Sequence, residues 1–200
     1  MLLKTTFQNN GDLLLLCNAL IENNDGAKAC NDKIRRNPNW IAENYGQYLD
    51  ETVFCEFIDA SIERSDLRGV LEAVVDHVNA SCVTDKVFKK LINFQCRSIK
   101  KRMIVSLAHK TLSEPQLIDL CNIGTEFECF FELARLYYMS TKHSLGILVK
   151  FLENFCSNSQ FSYMYQDLIC EMYMLKAGTS EKSEWLEAEY LKANMGQTNY

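Results

Sequence analysis

Proline and glycine are scarce in this chain of 200 residues, with two prolines and eight glycines. A β-rich fold punctuates its turns with more of both, so the shortage turns the reading towards helices. Long apolar runs are missing too. No stretch approaches the roughly 18 uninterrupted apolar residues of a membrane span. Nor is a positively charged leader expected: Asp12 precedes the apolar run 13–21, Asn18 interrupts it, and no small-residue cleavage site follows. These absences lead to an expectation of a cytoplasmic protein with no membrane partner. Motifs that carry chemistry are equally sparse. The three histidines, His77, His109 and His143, form no HExxH pair. Gly124 and Gly146 stand alone, so no glycine-rich phosphate loop is present.

Cysteine is the one reactive residue in supply. Nine are spread along the chain without a CxxC pair, and most sit in apolar stretches, as Cys17 and Cys170 do. That pattern reads as small buried hydrophobes in a reducing compartment rather than as a disulfide framework. Cys121 and Cys129 come near one another without a histidine beside them, which falls short of a zinc set. The expectation is therefore no catalytic residue, no metal and no cofactor.

What the chain does have is a rhythm of amphipathic segments. Apolar residues make up 48% and charged residues 24%, an ordinary globular balance. Asp12, Asp50, Ser65 or Asp66, Thr84 and the Ser113–Gln116 stretch read as helix starts, and Thr125 to Glu128 as a capping box. A segment at 39–48 follows Pro38, which suits a first helical turn. Later helices are expected near 144–156, 159–176 and 181–194. Starts recur about every 15 residues, so helix pairs recur about every 30, the range of helical repeat arrays. The expected fold is all-α, with stacked antiparallel helix pairs in a HEAT-like helical array; an irregular helical bundle is the alternative. One domain over 1–200 is expected, with 1–49 and 50–195 as its sub-units and 196–200 as a frayed tail.

Charge is unevenly spread within a net of −5. Residues 43–84 hold nine acids against Arg64 and Arg68, whereas 85–110 hold eight bases against Asp85. On helices, Glu56, Asp59 and Glu63 line one face, and Glu72 and Asp76 another, opposite the apolar residues. Like charges at this spacing cost a few tenths of a kcal/mol per pair, so an uncompensated ridge invites a cationic partner. The plainer alternative is a solvated face neutralised by the basic helices that follow. Aromatics near the basic stretch, Phe88 and Phe94, are expected to face inward, which disfavours nucleic acid as a partner. Tyr137 and Tyr138 are adjacent, and both cannot point inward equally on a simple wheel. They are therefore expected to contribute an interface anchor.

A small, acidic, cysteine-rich, all-α chain without catalytic residues resembles the immunity proteins of bacterial toxin–immunity systems, including those of contact-dependent growth inhibition. The resemblance is of overall type and carries no residue correspondence. It implies a non-catalytic module that binds a basic toxin domain, such as a nuclease, and blocks its active or substrate-binding surface. Glu56, Asp59, Glu63, Glu72 and Asp76, with Tyr137 and Tyr138, would then be the contact residues. A helical-repeat adaptor or an effector that binds another protein is the alternative.

Overall fold

Three acceptor side chains open helices at the expected places. Asp12 Oδ1 takes the N–H of Leu14 at 2.9 Å, Asp50 Oδ1 that of Thr52 at 2.8 Å, and Thr84 Oγ1 that of Val87 at 3.4 Å. Each satisfies a donor that the first turn of a helix leaves without an intrahelical acceptor. The computed structural model describes residues 11–23, 25–110, 113, 115–116, 119, 127–139, 144–157, 164–175 and 178–195. Among them are eleven α-helices and no strand, so the protein is all-α. The helices are α1 (Leu13–Glu22), α2 (Gly26–Arg36), α3 (Trp40–Asn44), α4 (Glu51–Glu63), α5 (Arg68–His77) and α6 (Asp85–Ile92). They continue with α7 (Arg97–Ala108), α8 (Phe127–Met139), α9 (Leu145–Ser157), α10 (Tyr165–Leu175) and α11 (Ser180–Met195). Single 3-10 turns at Ser65–Leu67 and Ala80–Cys82 lead out of α4 and α5.

The chain divides into two compact units, Met1–Gln116 and Leu117–Tyr200. In the first, α1 stacks on α4 and α4 on α6, while α2 stacks on α5 and α5 on α7. Those are two layers, each built from every second long helix. The pairs α1–α2, α4–α5 and α6–α7 are therefore stacked hairpins, which is the logic of a repeat array. No break falls at residues 49 and 50, where the sub-unit boundary was expected, because α1 packs on α4 across it. The core lies between the layers: Phe54, Phe57 and Ile58 of α4 meet Leu71, Val74 and Val75 of α5, with Val87, Phe88 and Leu91 of α6, all at most 1% exposed. Valine is a mediocre helix former, and burial of Val70, Val74 and Val75 outweighs that preference in α5.

The connections stack as well. Gly11 N–H donates to Asn44 O at 2.7 Å and Gly46 N–H to Gly11 O at 3.1 Å, forming one parallel bridge. Asn79 N–H donates to Gln47 O at 3.1 Å, and Leu49 N–H to Cys82 Sγ at 3.3 Å. His77 Nε2 donates to Tyr45 O at 2.8 Å, and Gln116 Nε2 to Val83 O at 3.2 Å. Ser113 and Gln116 bond reciprocally, Ser113 N–H to Gln116 Oε1 at 2.9 Å, as a capping box does.

This ladder explains one departure from expectation. The helix expected at 39–48 stops at Asn44, because Tyr45 turns extended to pair with Gly11 and buries its ring edge-on to Trp40, with ring centroids 5.4 Å apart. Residues 46–50 then belong to the ladder rather than to a helix.

In the second unit α8 packs on α9 and α10, and α10 on α11. Leu133, Ala134, Leu148, Phe151, Leu168, Ile169, Met172 and Leu186 form its core. The expected capping box at Thr125, and the helix start near 159, lie outside the described residues.

Candidate functional site

The acids singled out by charge do not form one ridge. Glu56, Asp59 and Glu63 stand on the exposed face of α4 in one layer, Glu72 and Asp76 on that of α5 in the other. These faces point away from the core between the two helices. Each group also meets the basic stretch of its own layer. Lys90 Nζ of α6 holds both carboxylate oxygens of Asp59, at 2.5 and 2.6 Å. Lys86 Nζ lies 3.9 Å from Glu51. On α7, Arg102 donates to Glu72 at 2.8 Å, and the Ser106 hydroxyl donates to Asp76. Lys110 Nζ reaches the backbone oxygens of Asp76 at 3.3 Å and Val78 at 2.5 Å. Burial lowers the Lys110 pKa, with Asp76 pulling it back up.

Three of the five expected contact acids are thus already engaged. Glu56 and Glu63 are not: both are exposed, and no described cation lies within ion-pair distance of either. Next to Glu63, Ile62 is 47% exposed, and on α1, which stacks on α4, Leu15 is 58% exposed. An acidic and apolar face remains on the first layer, smaller than the sequence suggested.

Tyr137 and Tyr138 are a correction. They are 0% and 2% exposed, buried inside the second unit, and neither is offered to a partner. Tyr137 packs edge-on to Phe151 at 5.3 Å, and its backbone oxygen accepts from Lys182 Nζ at 2.6 Å. The Tyr138 hydroxyl lies 3.4 Å from Ser183 Oγ, and its ring lies against Gly178. Adjacent tyrosines can both be covered because α8 is packed on more than one side. Lys182 is itself 1% exposed, and burial lowers its pKa. Anchored on the last turn of α8, its charge meets carbonyls that the helix leaves without internal donors.

Four of the seven described thiols follow the expectation of buried hydrophobes, whereas Cys96, Cys156 and Cys170 are half-buried. Cys17, Cys30, Cys55 and Cys82 are buried and free. Burial pushes the Cys30 thiol up to about 12, despite the pull of Lys33. It raises Cys17 further, with Cys30 and Asp12 adding to it, and raises Tyr45 beside both. A thiolate is the reactive form, so these groups are poor nucleophiles. His77 serves the ladder: carbonyls only accept, so its Nε2 carries the hydrogen shared by Tyr45 O and Gly46 O, at 2.8 and 3.1 Å. His109 is exposed after α7, and His143 lies outside the described residues.

Among the described residues no three His, Cys, Asp or Glu side chains gather as a metal set, and no helix is long and apolar enough to cross a membrane. A groove of about 580 Å³ runs along α5 and α7, lined by Glu72, Asp76, Lys101, Arg102, Met103 and Ser106. Across it Arg102 binds Glu72 and the Ser106 hydroxyl binds Asp76. Sequence reasoning missed this mutual engagement and the loop ladder. The signal was present as a separation: most cross-links between stacked segments join residues 30 to 35 apart, with Arg64 to Leu20, at 44, an exception. No protein-family model, no characterised protein sequence and no solved structure matches the chain.

Proposed function

We propose that this protein is a non-catalytic protein-binding module of the immunity type, which neutralises a basic toxin domain by covering its active or substrate-binding surface. The observation that carries this reading is the outer face of α4, where Glu56 and Glu63 stand exposed without a described cation, beside exposed Ile62. Carboxylates left over after neighbouring bases are satisfied speed the approach of a cationic surface, and an exposed apolar side chain gives that encounter something to bury. A stack of helix pairs suits the role, since it offers an extended face rather than a small pocket. Asp59, Glu72 and Asp76 have an internal role and are set aside as contacts.

Co-expression with the product of the adjacent gene tests the proposal. A stable 1:1 complex and rescue of growth are expected. A chain that neither binds nor protects would sink the reading. Reversing Glu56 and Glu63 together to lysine should slow association about tenfold at low salt and flatten its salt dependence. Unchanged association kinetics would show that this face is only solvated.

A further inference from the structure

The ion pairs described between helix pairs share one location. Lys86–Glu51, Lys90–Asp59 and Arg102–Glu72 all cross from α4–α5 to α6–α7, with side chains partly exposed. The Ser106–Asp76 bond and the Lys110 contacts cross the same seam. By contrast, the side-chain bonds described between the first and second pairs end on backbone oxygens. Asn31 Nδ2 donates to Asp66 O at 2.5 Å, and Arg64 donates to Leu20 O at 2.7 Å. A surface groove of about 580 Å³ also runs along the α5–α7 side of the charged seam. Acid on the second pair faces base on the third in both layers.

We propose that the seam between α4–α5 and α6–α7 is an electrostatic latch, at which the surface ion pairs add to the apolar hold on the third helix pair and salt makes it open more often. The apolar contacts of Val87, Phe88, Leu91, Met103, Ile104 and Leu107 keep the third pair folded against the core. The pairs above them set how often it lifts. In a stack whose stability is a sum of nearest-neighbour interfaces, one interface can open while the rest stay formed. Lys90 is 33% and Asp59 55% exposed, Arg102 77% and Glu72 18%, so counter-ions reach all four. The inference stands independently of the proposed partner, because it concerns how the free chain opens.

Amide hydrogen exchange of the full chain tests it, followed at about 0.1 M and about 1 M NaCl, where the screening length falls from roughly 10 to 3 Å. Amides of α6 and α7 should exchange about fivefold faster at the higher salt, the scale of three partly exposed pairs weakened together. Those of α1 and α2 should change by less than about twofold. Glu51→Gln, Asp59→Asn and Glu72→Gln together should bring the low-salt rate in α6 and α7 to the high-salt value and abolish the salt response. Glu72→Arg alone should speed exchange in α6 and α7, and adding Arg102→Glu to it should restore slow exchange through charge alone. Rates in α6 and α7 that ignore salt would overturn the proposal, and so would an equal rise in α1 and α2. Failure of the exchanged pair to restore protection would overturn it too. The salt titration uses the unaltered chain, so a poorly folding variant does not remove the test.

Discussion

The two buried thiols of the first helix pair make the first unit sensitive to alkali, by an amount that can be worked out. Cys17 on α1 and Cys30 on α2 are each 0% exposed, and Cys30 stays protonated up to about 12, with Cys17 raised further. In the unfolded chain both ionise near 9.0, the ordinary value. A folded pKa above the unfolded one means that the native state keeps a proton that the unfolded state releases. The stability this confers is complete below pH 9 and is lost as pH rises towards 12. Between pH 8 and pH 10 each thiol therefore costs about 1.4 kcal/mol, and the two together about 3 kcal/mol. That is a large part of the ~5–15 kcal/mol that holds a typical domain together.

Tyr45, raised by burial, adds to the loss, while Lys110 and Lys182, lowered by burial, act in the opposite direction. A paired comparison cancels these common contributions. Urea unfolding would be followed at both pH values under reducing conditions, for the chain and for its Cys17→Ala/Cys30→Ala variant. Trp40, packed on Tyr45 in the same unit, reports locally once Trp185 is replaced by phenylalanine. The variant starts less stable because it leaves small cavities, but between pH 8 and pH 10 it should lose about 3 kcal/mol less than the parent. Equal pH dependence in the two chains would refute the reasoning.

Other outcomes can be stated more briefly. Gly178→Ala should destabilise the second unit by about 1–3 kcal/mol in urea, because a Cβ there would meet the buried Tyr138 ring within 3.0 Å. A double-mutant cycle on Lys90 and Asp59 should give a coupling of about 0.2–1 kcal/mol that fades with salt; a salt-insensitive coupling would contradict the exposure of the pair. Tyr138→Phe should leave partner association unchanged and cost under about 1 kcal/mol of stability, since the hydroxyl contact at 3.4 Å is long; slower association would return Tyr138 to the interface. Lys182→Ala should cost about 1–3 kcal/mol by stripping a buried carbonyl of its donor, read as a lower urea midpoint of the second unit.

Local chemistry was enough for most helix boundaries. Asp12, Asp50 and Thr84 are acceptors with short reach, so each caps a helix wherever it precedes an apolar periodic run. Apolar spacing likewise placed Phe54, Phe57, Ile58, Val70 and Val74 inward without knowledge of what covers them. Residues 45–48 were illegible for a complementary reason. Their extended form is stabilised by Gly11 and by the 78–83 connection, segments over 30 positions away, and no window along the chain contains both partners.

The candidate site divides in the same way. Which charges exist, and on which face of which helix, follows from the sequence alone, because helical periodicity is local. Whether a charge is spent inside the molecule depends on what stacks beside it. Tertiary structure alone assigned Asp59 to Lys90 and Glu72 to Arg102, and left Glu56 and Glu63 exposed without a described cation. It also covered Tyr137 and Tyr138, since burial is a property of neighbours, and neighbours are set by packing between helices rather than by order along the chain.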